Sequence, residues 1–208
     1  MSRRLSPKWH SVGSGNGHDA LVPTKENPAP GAGPFGLAIF LVSLAILFLV
    51  SLIAYGILRA RAGTWPPPGL PPLPHALWVS TAILALAGVA METSARAARA
   101  HRPERLKIGL AASLALGLAF LVSQTVCWVR YVLAGPAVTL YGWLFFFLTG
   151  LHAAHVLGGL VPLVVLTVNA WHDRIAPPGS SGIRLCATYW HFLGVVWVAL
   201  YGMLLLTS

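Results

Sequence analysis

The chain has 208 residues, 56% of them hydrophobic and only 9% charged, with a formal net charge of +9. A water-soluble domain carries about 25% charged residues, so the composition excludes an ordinary soluble domain and points to a membrane. The basic residues fall between apolar runs instead of forming one patch, and no nucleic-acid-binding motif accompanies them, which excludes nucleic acid as a partner.

In chain order, Met1 to Pro34 reads as a disordered polar arm. SVGSGNGHDA and VPTKENPAPGAGP cannot bury enough apolar surface to fold, and no apolar core of a secretory signal is visible. His10 and His18 lie in it as solvated bystanders. The domain proper is residues 35–208. Its first apolar run, Phe35 to Leu58, holds no charge and would span roughly 36 Å as a helix, enough to cross the hydrocarbon core with some tilt. Arg59 and Arg61 end it.

Gly63 to Pro74, GTWPPPGLPPLP, is too proline-rich for helix or central strand and reads as a polyproline-like connector. The second run extends over about His75 to Ala98, with Glu92 and Arg96 near its far end. A basic connector follows, and then three more runs, at about Ile108–Leu133, Thr139–Val168 and Leu185–Leu206. The fourth is long for one span, and Pro162 either bends it or marks an interfacial turn. The expected fold is an all-α bundle of five transmembrane helices.

Five spans put the chain ends on opposite sides. One side then holds Arg3, Arg4, Lys8, Lys25, Arg96, Arg99, Arg102, Arg105, Lys107, Arg174 and Arg184, and the other only Arg59, Arg61 and Arg130. The positive-inside rule places the N-terminus in the cytoplasm and the C-terminus outside, in a multi-pass membrane protein.

The stretch YGWLFFFLTGLHAAHVLGG, Tyr141 to Gly159, carries His152 and His155 in an otherwise apolar helix. Polar rings at such depth need partners. On a helix Phe145, Thr149, His152, Val156 and Gly159 form one stripe with His155 at its edge, and the glycines at 150, 158 and 159 suit close approach of another helix. The stripe should point into protein, with both histidines as neutral packing residues. Bis-histidine haem ligation is the sharper alternative, with His191 of the fifth run as second ring. Depth argues against it: His152 is some 12 residues into its run and His191 some six into the next. No Asp or Glu lies in runs three to five to build a di-metal carboxylate site, and Cys127 and Cys186 form no metal-ligating pair.

Glu92 is the one carboxylate within a span. Arg96, four residues on, shares its helix face and forms a helix-end ion pair in the favourable order. A proton relay would need more titratable groups in line. No catalytic residue, cofactor site or metal site is expected on this chain.

At this point the residues resemble a family. FFFLTGLHAAHVLGG, Phe145 to Gly159, is similar to the FF-x-x-TG-x-H-x-x-HV-x-x-G segment of subunit III of haem–copper oxidases. YWHFLGVVWVALY, Tyr189 to Tyr201, is similar to that family's closing WHFVDVVW helix. PFGLAIFLVSLAILF and TWPPPGLPPLP resemble the first helix and connector of its five-span form, and LVSQTVCWVRY its third helix more loosely. The resemblance covers Pro34 to the C-terminus.

It implies a non-catalytic accessory subunit of a terminal respiratory oxidase, cytochrome c or quinol. Its partners would be catalytic subunit I, subunit II and membrane phospholipid held in a cleft, with haem and copper on the partner subunit. Thr149, His152, His155, Trp190 and His191 become interhelical and lipid-cleft residues. Three intramembrane acids expected from the resemblance are missing, at Leu44, after Gln124 at Cys127, and at Gly194, which argues against a proton-antenna role carried by them but not against a structural or lipid-holding one. The competing readings are an accessory subunit of a nitric oxide reductase, a free-standing bis-histidine haem protein, and a small transporter. The last is disfavoured by the lack of an internal repeat.

Overall fold

The computed structural model describes residues 32–68, 76–133, 135, 139–174 and 180–207. Among them the chain forms five α-helices and no strand: α1 (Ala32–Arg61), α2 (Ala76–Arg99), α3 (Pro103–Leu133), α4 (Leu140–Trp171) and α5 (Ser180–Thr207). All five are long and apolar enough to cross a membrane. The polar arm expected over Met1 to Pro34 lies outside the described residues up to position 31, as does the proline connector from 69 to 74.

The helices outrun the apolar stretches. α3 begins at Pro103, not Ile108, and α5 at Ser180, not Leu185. Proline suits a first helical position because its φ is already helical and its missing N–H would have had no partner there. Charged residues in such an interfacial turn keep the backbone bonded while their side chains reach water. Lys107 does so by pairing with Asp173, just past α4, at 3.0 Å, which ties the start of α3 to the end of α4 on one side of the bundle.

α4 has 32 residues, so it is about 48 Å long and exceeds the roughly 30 Å hydrocarbon core as a single helix. Pro162 lies inside it without ending it, so the interfacial turn considered from sequence does not occur. The Thr139 hydroxyl opens α4 by accepting the Gly142 N–H at 3.1 Å, a side-chain N-cap.

α2 packs most extensively on α3 and also on α5, while α4 bridges α3 and α5 and α1 packs chiefly on α5. Only 11% of the α1 span is buried, against 33–44% for the others, so α1 flanks a four-helix bundle. Leu44, Phe48 and Tyr55 are buried in the core, and Leu37, Leu41 and Leu52 of α1 pack against it partly exposed. Gly117 fixes the centre: a Cβ there would meet Trp190 Cη2 at 2.7 Å and Leu160 Cδ2 at 2.9 Å, so the indole lies directly on the α3 backbone.

Candidate functional site

The stripe read from the sequence exists. Phe145, Thr149, His152, Val156 and Gly159 are all buried, and they are covered by helices of this same chain. His152 lies in an aromatic box, with ring centroids of Phe48 (α1), Phe120 (α3) and Trp197 (α5) at 6.3, 5.7 and 5.0 Å. Neither imidazole nitrogen has a hydrogen-bond partner among the described residues. Leaving a buried polar atom unpaired costs about 1–3 kcal/mol. The ring therefore contributes through shape.

One turn earlier, the Thr149 hydroxyl donates to the Phe145 carbonyl at 2.7 Å and accepts from Trp128 Nε1–H at 3.0 Å, joining α3 to α4. His155 has a different setting. Its Nδ1 is 2.7 Å from the Leu151 carbonyl, and since a carbonyl only accepts, Nδ1 carries the proton. The Tyr189 hydroxyl donates to the His155 carbonyl at 2.8 Å and so ties α5 to α4. Gly159 makes this possible, because a Cβ there would come within 2.5 Å of Tyr189 Cε1.

His191 is not with the other histidines. It pairs with Glu92 of α2, Nε2 to Oε2, at 3.4 Å. Glu92 Oε1 accepts from Arg96 Nε at 2.8 Å, the expected helix-end pair, and also from Arg99 at 3.4 Å. One carboxylate thus gathers two guanidinium groups and an imidazole from across the α2–α5 contact. The sequence reading missed both Arg99 and His191 as partners.

Two grooves open toward the membrane beside these residues. One, of ≈ 560 Å³ between α2 and α5, is lined by Glu92, Trp190, His191 and Gly194 among others. The other, of ≈ 830 Å³, lies where α1 splays from α4 and α5 and is lined almost wholly by apolar groups, with His155 and Tyr189 on its wall. Thr149 and His152 line neither. Of the positions of the missing acids, Leu44 and Cys127 are buried in the apolar core, whereas Gly194 opens onto the α2–α5 groove. Among the described residues no three His, Cys, Asp or Glu side chains cluster as a metal site would require. The arrangement can hold helices together and accept acyl chains.

A family model described as cytochrome c oxidase subunit III matches residues 29–207. Cytochrome c oxidase subunit 3 of a Synechocystis strain is 33% identical over 174 residues, covering 80% of this chain and 72% of that protein. A Nocardia farcinica protein named "probable cytochrome c oxidase subunit 3" is 30% identical over 165 residues, covering 77% and 81% of the two chains.

Proposed function

This chain belongs to the cytochrome c oxidase subunit III family, and on that premise we propose how it serves its complex. It is a multi-pass accessory subunit of a respiratory haem–copper oxidase. In this reading it takes no part in the chemistry: it braces catalytic subunit I, adjoins subunit II, and leaves haem and copper to the partner. The distribution of Lys and Arg supports a cytoplasmic N-terminus, and the bacterial relatives support the bacterial inner membrane. Membrane phospholipid occupies the apolar groove between α1, α4 and α5, where the acyl chains meet Phe40, Val161 and Val165.

The observation that carries the non-catalytic reading is the environment of the intramembrane histidines. His152 is enclosed by three aromatic rings, His155 is tied to its own helix, and His191 pairs with Glu92. Each has a packing or pairing role, and they are not arranged as two rings facing one haem iron.

Affinity purification of the tagged chain from membranes tests the reading. A large multi-histidine haem–copper subunit should accompany it, and the assembly should reduce oxygen. A chain that isolates alone with a Soret band, or an assembly that reduces nitric oxide but not oxygen, overturns it.

A further inference from the structure

The hairpin that joins α2 to α3 carries a groove that the packing core does not use. It has a volume of ≈ 540 Å³ and is lined by Ala90, Ala97, Gly109 and Ala112, which are buried or half-buried, by the exposed Ile108, and by Arg96, Arg102 and Arg105. The hairpin is tight: the Arg102 N–H donates to the Ala97 carbonyl at 3.0 Å, with His101 reversing the chain at a φ of 51°. Below it the helices nearly touch, since a Cβ on Gly109 would collide with Ser94 Oγ. Arg96, Arg102 and Arg105 thus lie within about one helical turn of the chain reversal beside a shallow channel, Arg96 lining the α2–α5 groove as well.

Their charges are not all taken up within the chain. Arg96 gives only its Nε to Glu92, and neither Arg102 nor Arg105 has a carboxylate at ion-pair distance among the described residues. The polarity along the groove is ordered. On α3, Arg105 is followed on one face by Ile108 and Ala112, the latter about 10 Å deeper. On α2, Arg96 is followed by Thr93 and Ala90 in the same direction. Charge at the hairpin end and uncharged, mostly apolar residues below it reproduce the order of phosphate and acyl chain in a lipid.

We propose that this groove binds one anionic glycerophospholipid. Its phosphate sits against Arg102, Arg105 and the free terminal nitrogens of Arg96, and one acyl chain lies along the small residues of α2 and α3. Guanidinium forks match phosphate oxygens in pairs, and a net negative headgroup suits three clustered arginines better than a zwitterionic one. Topology-setting arginines need only charge. This site also needs fork geometry and an open channel, and that difference is what the test exploits. The inference rests on the membrane-spanning reading and not on which enzyme the chain serves.

The experiment is native mass spectrometry of the complex purified from membranes, titrated with phosphatidylglycerol, phosphatidylcholine or inorganic phosphate. Phosphatidylglycerol should bind in preference to phosphatidylcholine, and inorganic phosphate should not displace it. Arg102→Gln with Arg105→Gln should weaken that binding by about tenfold or more. Arg102→Lys with Arg105→Lys, which keeps the charge, and Ala112→Phe, which fills the channel, should each weaken it too. Arg59→Gln with Arg61→Gln, at the other membrane face, should not. Unchanged binding in the double glutamine variant overturns the proposal, as does displacement by phosphate with no effect of Ala112→Phe, which would mark a bare anion contact. Co-isolation of the partner subunits is scored separately, so a failed complex and a failed lipid site give different results.

Discussion

Replacing His152 separates shape from chemistry. The side chain is 0% exposed, and three aromatic rings surround it. Helix association inside a bilayer gains no water-expelling term, because lipid tails are as apolar as the core, so packing carries most of the loss on truncation. His152→Ala would leave a void on the order of 60 Å³, which at about 24 cal/mol per Å³ costs about 1.5 kcal/mol, plus the lost contacts to the rings. Removing two unpaired nitrogens offsets this by up to about 1–3 kcal/mol per polar atom in the least compensated case. His152→Phe fills the space and removes the same nitrogens, against about 1–3 kcal/mol for the larger ring. The nitrogen term is common to both variants and cancels. Void and lost ring contacts together cost about 3–5 kcal/mol for an aromatic-sized truncation, against about 1–3 kcal/mol for the larger ring, so the phenylalanine variant should be the more stable by about 2 kcal/mol. Retention of the subunit in the complex through a detergent or thermal ramp measures this directly. Initial oxygen reduction should be unchanged in both variants, with the alanine variant losing activity faster during sustained turnover. Two results would refute the reasoning: a phenylalanine variant less stable than alanine, or immediate loss of turnover with the complex intact.

Glu92→Gln keeps the side-chain shape but releases Arg96, Arg99 and His191. Polar contacts between membrane helices average about 0.6 and reach about 1.7 kcal/mol, so a loss on the order of 1 kcal/mol is expected in the same ramp. Adding His191→Gln should then cost little more; strictly additive losses would show that the two are not coupled. Gly117→Val should be strongly destabilising, by about 1–3 kcal/mol or more, because its Cβ enters the space of Trp190 and Leu160. Gly158→Ala, with nothing within 4 Å of its Cβ, should be neutral or slightly stabilising. Equal responses of the two glycines would contradict the packing described.

Most of the fold was legible because a bilayer allows few solutions. Uncharged runs such as Phe35 to Leu58 had to be helices, and the five runs became α1 to α5. The boundaries of α3 and α5 were each five residues short, because apolar counting stops at the first charge while backbone hydrogen bonding continues through the interface. The inward stripe on α4 was also legible, since polar rings in lipid are costly and the small residues beside them mark a helix contact. The Glu92–His191 pair was not found, although a signal for it existed. Glu92 lies seven residues before Arg99 at the end of α2, and His191 six after Leu185, so both sit at similar depth from the same side. The depth comparison runs between consecutive apolar runs, His152 against His191. Chain order alone does not reveal that α2 adjoins α5.

That pairing changes the meaning of the missing acids. At Leu44 and Cys127 the space is now apolar core, so no carboxylate can be carried there without burying a charge. One turn before Cys127, the Gln124 amide is fully buried, and neither of its polar atoms has a partner among the described residues. An acid at 127 would lie one helical turn from Gln124. Gly194 differs, because it opens onto the groove that also holds Glu92 and His191. There the acid absent from α5 has a counterpart on α2, held by two arginines and bridged to the same helix through His191. Positions 44 and 127 offer no carboxylate in the core, whereas the α2–α5 surface carries one, Glu92 on α2, beside Gly194 of α5.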